Sequence, residues 1–199
     1  YIACDDSDPG RIDVAAAAES LLGGRVSVCL GLLATIRVEN QLGPGDLLLS
    51  PGGEIRVEVE ILGPSWSRPD KVELFSNGAS IRKASISKTD ARRPGSKWKR
   101  TWIIPKPSHD IHLVAAATGR SEAFPFHPIA RTYQPATPDW QPYIFGSSGA
   151  VWVDGDGDGK PTSARRHAEG IADGVEDSLD AVIGKLASCD EAVAAQAAS

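Results

Sequence analysis

Seven short stretches of this chain suit β-strands, and several alternate apolar with charged side chains, a period of two that buries one face of a pleated strand. They are R-V-S-V-C-L (25–30), T-I-R-V-E-N (35–40), E-I-R-V-E-V-E-I-L (54–62), K-V-E-L-F (71–75), S-I-R-K-A-S-I (80–86), K-W-K-R-T-W-I-I (97–104) and D-I-H-L-V-A-A-A (110–117). Such strands at near-regular spacing, joined by Gly- and Pro-bearing turns, predict a mainly β fold: an antiparallel, immunoglobulin-like β-sandwich rather than a parallel sheet with crossover helices. Asn77-Gly78 adds a tight hairpin, because both residues tolerate positive φ.

Helical signals flank this block. I-D-V-A-A-A-A-E-S-L-L-G-G (12–24) reads as a short N-terminal helix with Asp13 as its N-cap and Gly23-Gly24 as its stop. Near the other end, Val175, Leu179, Val182, Ile183 and Leu186 share one helical face over 175–186, and an alanine-rich segment (190–198) needs a partner surface. Between 123 and 142 five prolines exclude helix and interior strand, so this segment is expected to be an extended surface arm anchored by Phe124, Phe126, Tyr133 and Trp140. Residues 143–153 return to strand.

With 199 residues, 41% of them hydrophobic, the chain has enough apolar material for a sizeable core. A net charge of −5, with basic residues clustered only in R-R-P-G-S-K-W-K-R (92–100), gives no reason to expect nucleic acid as a partner. No apolar run reaches membrane-spanning length. Cys4, Cys29 and Cys189 are an odd, widely spaced set, neither a disulfide framework nor a zinc knuckle, and the redox compartment stays open. The sequence has no methionine and no signal peptide, so the expectation is a piece of a longer polypeptide.

The most chemically pointed segment is V-D-G-D-G-D-G-K-P-T-S-A-R (153–165). Counted from Asp154, carboxylates fall at positions one, three and five (Asp154, Asp156, Asp158), glycine at six and Thr162 at nine, which is the opening of a calcium loop. Position twelve, where a bidentate Glu normally closes the shell, is Arg165, so Glu169, Asp173 or Glu176 would have to supply the missing ligand. The competing reading is an Asp-Gly turn whose carboxylates accept backbone amides, with Thr162 or Ser163 capping a following helix.

Other candidates have a structural reading of their own. His109 and His112 fall on opposite faces of one strand and read as sheet-surface residues. His127 packs the arm, His167 is a solvated helix residue, and Cys29 is a small buried hydrophobe. Trp98 and Trp102 share a face, which serves a core or a ligand platform equally. G-S-S-G (146–149) lacks the spacing of a nucleophile elbow.

G-R-V-S-V-C-L-G-L-L-A-T-I-R-V-E-N-Q-L-G-P-G-D (24–46), V-E-V-E-I-L-G-P-S-W (57–66), V-E-L-F-S-N-G (72–78) and S-S-G-A-V-W-V-D-G-D-G-D-G-K-P-T-S-A (147–164) together resemble the C-terminal half of carbaryl-hydrolase-like metallohydrolases of the polymerase and histidinol phosphatase (PHP) superfamily. The resemblance implies that 1–33 end an upstream catalytic domain, 34–153 form the β-sandwich, and 154–199 hold the Asp/Gly loop and helical tail. It implies a non-catalytic accessory region whose partner is that catalytic domain, where a divalent transition metal would sit. The early H-x-H ligands of the family are not in this sequence, so no catalytic residue carries over. The other reading is a calcium-stabilised binding or adhesion module of a secreted protein.

Overall fold

A computed structural model describes residues 1–49, 51–120, 143–173 and 179–198. The arm at 123–142, with its aromatic anchors and His127, lies outside these residues, as do Val175 and Glu176.

The chain is mainly β, arranged as two facing sheets with, among the described residues, one α-helix before them and three after. The first helix, α1 (Val14–Leu22), starts as expected: Asp13 accepts from the Ala15 and Ala16 N–H groups, and Gly23 ends it. The smaller sheet holds β2 (Leu33–Val38), β4 (Glu54–Gly63) and β7 (Gly95–Pro105) in antiparallel order β2-β4-β7. The larger holds β1 (Ser27–Leu30), β3 (Leu47–Leu48), β5 (Lys71–Ser76), β6 (Ala79–Ser85), β8 (Ile111–Arg120), β9 (Tyr143–Ser148) and β10 (Val151–Val153). Strand β8 is its spine. One edge pairs with β5, while the other is shared by β9 over Ala116–Arg120 and β10 over Ile111–Leu113. β1 lies outside β9, and β3 lies outside β10 as the sheet's one parallel pair among the described strands.

Period-two burial builds the core. On β4, Ile55, Val57, Val59 and Ile61 are fully buried and alternate with Glu54, Arg56, Glu58 and Glu60. Facing them from the larger sheet are Val72 and Leu74 of β5, Leu113, Ala115 and Ala117 of β8, and Val151 and Val153 of β10. Burying each such Val, Leu or Ile contributes about 1.5–3 kcal/mol relative to exposure. Trp98 and Trp102 stack at 5.2 Å on the inner side of β7, with Trp102 buried, so the core reading of this pair holds. The polar faces carry ion pairs such as Lys99–Glu58 at 2.9 Å, whose exposure keeps their contribution small.

Two local devices shape the sheets. Asn77 and Gly78 both take positive φ, 46° and 86°, which gives the expected tight turn between β5 and β6. In β7 a bulge between Ile61 and Leu62 of the partner strand turns Lys97 inward, where its Nζ donates to the Ala91 and Arg93 carbonyls at 2.7 Å each. Burial lowers the Lys97 pKa below its ordinary value.

Cys29, expected as a buried hydrophobe, is exposed, because β1 is an edge strand whose side chains are mostly left uncovered. The tail contains α2 (Ala164–Asp173), α3 (Leu179–Leu186) and α4 (Glu191–Ala197). The alanine-rich segment finds its partner surface: α4 packs against α2, with Val193 and Ala168 buried.

The alternation predicts a sharp contrast. Ile61→Ala should cost about 2–5 kcal/mol in urea unfolding, whereas Ile103→Ala on the outer face of β7 should stay within about 0.5 kcal/mol.

Candidate metal centre

Where β10 ends, the chain enters the acidic loop, and where β8 begins, Asp110 precedes it. The antiparallel register Val153↔Ile111 brings these two points together. Asp110, Asp154, Asp156 and Asp158 therefore converge, each offering a carboxylate oxygen within 4.8 Å of the others. Asp110 and His167 form a second set with Asp156 at the same spacing. The fourth carboxylate thus comes from Asp110, 44 residues before the loop, not from Glu169 or Asp173. Glu169 instead accepts from Arg165 Nε at 2.9 Å, one helical turn away on α2.

The loop is moulded around the two buried carboxylates. Asp110, fully buried, accepts from the Gly155 N–H at 2.8 Å and the Asp156 N–H at 3.4 Å through Oδ1, and from the Thr162 N–H at 2.8 Å through Oδ2. Asp154, 1% exposed, accepts from the Gly157 N–H at 2.6 Å and the Gly159 N–H at 3.1 Å. Gly157 and Gly159 hold φ of 85° and 80°, and a Cβ on Gly155 would overlap the His109 backbone. Thr162 joins through its backbone N–H, and the Ser163 hydroxyl accepts from the Arg166 N–H at 3.3 Å at the start of α2. The Asp-Gly turn is thus realised in full, and the same carboxylates stay grouped as a ligand set.

Among the described residues no lysine or arginine pairs with Asp110, Asp154, Asp156 or Asp158. A group of carboxylates with no basic side chain beside it could hold a cation. The all-oxygen set suits calcium or magnesium, whereas the Nε2 lone pair of the neighbouring His167 is taken up by the Asp110 N–H.

His167 is not the solvated residue the sequence suggested. Its side chain is 16% exposed, and its Nε2 accepts from the Asp110 N–H at 3.2 Å and lies 3.9 Å from Asp156 Oδ2. An accepting Nε2 leaves the proton on Nδ1. His109 is also buried rather than on the sheet surface, with its ring edge-on to His167 at 5.6 Å. His109 Nε2 lies 3.1 Å from Asp190 Oδ2, close enough for an ion pair although not directed as a hydrogen bond. His112 alone keeps a sheet-surface position, beside Trp152 at 5.3 Å.

A second polar cluster ties the tail to the sandwich. Asp190 caps α4 through the Val193 N–H at 3.0 Å and accepts from Asn77 Nδ2 at 2.8 Å. The Asn77 side chain also accepts from the His112 N–H at 3.0 Å, so the hairpin turn, β8 and α4 meet at one amide. Burial pushes the Asp190 carboxyl up, but the Val193 amide, Asn77 and His109 outweigh it and hold the pKa below the usual carboxylate range.

Comparison with protein families, with curated proteins and with solved structures found no match. The chain is described by its own architecture, a two-sheet β protein with a buried-carboxylate loop at one end. Neither Asp110 nor His167 was identified as a site residue from the sequence. Asp110 stands directly before a strand, but its nearness to Asp154 depends on a pairing between distant strands that local pattern does not encode.

Desolvation lowers the His112 pKa, opposed by the nearby Asp190 charge. A histidine depressed on folding leaves stability intact above its unfolded value, about 6.5, and lost as pH falls below it. Asp190 has the same sign but acts only at lower pH, below about 4. Melting temperature should therefore begin to fall as pH drops below about 6.5, and His112→Gln should flatten that slope while leaving the more acidic limb.

Proposed function

We propose that this chain is a non-catalytic accessory β-sandwich region of a larger metal-dependent hydrolase of the PHP type, seated against the catalytic domain and shaping access to it. The observation that carries the reading is the uncovered N-terminal face. α1 contains no buried residue, with Val14 78% and Leu22 88% exposed, and Ile2, Ile12, Leu21 and Val28 extend the apolar surface. A nine-residue helix is marginal in water unless a tertiary surface receives it. A patch of this kind marks a contact surface. Residues 1–24 also hold Asp5, Asp6, Asp8, Asp13 and Glu19 against Arg11 alone, so the partner surface should be apolar with a basic rim. In this reading, 1–33 belong with the catalytic domain, which carries the transition-metal chemistry.

The assay uses the chain with zinc or manganese against phosphomonoesters, phosphodiesters and aryl esters. Background rates are expected, and turnover clearly above buffer would overturn the accessory role. Leu21→Ser with Leu22→Ser should change unfolding free energy by no more than about 0.5 kcal/mol, as befits side chains that are largely exposed within the chain.

The buried, cation-free pair Asp110 and Asp154 favours a second reading, a calcium-stabilised binding module. Calcium at a hundred times its dissociation constant should add about 2.7 kcal/mol to stability. The gain should vanish with chelator and be strongly reduced in Asp156→Asn, whose side chain is exposed enough to change without unfolding the loop. A melting temperature indifferent to millimolar calcium removes this reading and leaves the Asp-Gly turn as a purely structural device.

A further inference from the structure

An Asn-Gly or Asp-Gly pair is open to ring closure between the side-chain carbonyl carbon and the next backbone nitrogen, because glycine puts no side chain in the way. Four such pairs lie among the described residues: Asn77-Gly78, Asp154-Gly155, Asp156-Gly157 and Asp158-Gly159. In the acidic loop every one of these glycine nitrogens is engaged. The Gly155 N–H donates to Asp110 at 2.8 Å, and the Gly157 and Gly159 N–H groups donate to Asp154 at 2.6 and 3.1 Å. An amide bound to a third carboxylate keeps its proton and its orientation. Gly78 differs: its N–H makes no hydrogen bond among the described residues, the residue is exposed, and the space a Cβ would fill is open.

What restrains this pair is the buried Asn77 carboxamide. Its Nδ2 donates to Asp190 Oδ2 at 2.8 Å and to the Asp110 carbonyl at 3.3 Å, and its Oδ1 accepts from the His112 N–H at 3.0 Å. To close on the Gly78 nitrogen, the group has to leave all three partners. Asp110 and His112 belong to the start of β8, whereas Asp190, the one charged acceptor, is the N-cap of α4. Docking of the tail therefore holds the amide in its unreacted position.

We propose that Asn77 is a spontaneous deamidation site, gated by Asp190, whose modification releases α4 from the sandwich. The Gly78 nitrogen bonds to Asn77 Cγ, the Cγ–Nδ2 bond breaks, and ammonia leaves with the former Gly78 amide proton. Water then opens the succinimide ring at either carbonyl, giving aspartate or isoaspartate. Either product puts a carboxylate where an amide donated to Asp190, so two like charges meet at hydrogen-bond distance and the Asp110 carbonyl loses a donor. Isoaspartate also lengthens the backbone inside the tight turn that Ser76 and Ala79 close.

Incubation of the whole chain at mildly alkaline pH, followed by peptide mass mapping, tests the site. Conversion is expected at Asn77 and not at Asp154, Asp156 or Asp158. Asp190→Ala should accelerate it about tenfold, the effect of losing one hydrogen bond to a charged acceptor. Asn77→Asp, which mimics one product, should raise amide hydrogen exchange in α4 about tenfold. Asn77→Asp with Asp190→Asn exchanges amide and carboxylate while keeping a good N-cap, and should return that exchange to the parent level. Equal conversion in the parent chain and Asp190→Ala, or α4 exchange unmoved by Asn77→Asp, overturns the proposal.

Discussion

The register between β8 and β10 decides where the functional groups of this chain end up. Val153 opposite Ile111 sets Asp154 beside Asp110, and from that pairing follow the folded loop, the docking of His167 and the start of α2. A slip of one residue would invert every side chain on β10, sending Val151 and Val153 to the outer face. Core burial and site assembly therefore rest on the same ladder. The inward positions Ile111, Leu113, Val151 and Val153 hold the register with apolar contacts, and the two aspartates at its open end inherit the geometry.

Much of the architecture was legible because it is written locally. Alternation along Glu54–Gly63 fixes which face of β4 is buried, Asn77-Gly78 specifies its turn through positive φ, and Asp13 caps a helix within three residues of itself. The Asp-Gly spacing was equally local. What was hidden depends on partners far along the chain. Asp110 becomes a fourth carboxylate only through strand pairing, and His167 becomes buried only because α2 folds back over that carboxylate. Cys29 misled because an apolar strand pattern promises burial only when something covers the strand, and β1 runs along an edge.

Two regions of the chain differ in how their polar and apolar groups are satisfied. The end carrying the acidic loop is saturated with internal hydrogen bonds, with five backbone amides aimed at two buried carboxylates. The N-terminal segment is unsatisfied in a different sense, since its amides are largely committed to a helix and a short ribbon but many of its apolar side chains stand exposed.

The bare edge of β1 has a further consequence for the protein in isolation. Past Ser27 this strand pairs, among the described residues, with β9 alone, while Val28 and Leu30 stand exposed on either side of a free thiol. Unpaired backbone groups on an apolar edge template the addition of another strand, and natural sheets usually guard such an edge with lysine, proline or a bulge. None of these lies within Ser27–Leu30. An uncovered edge of this composition is a place where a strand of another chain can add, and the Cys29 thiol would lie at that seam.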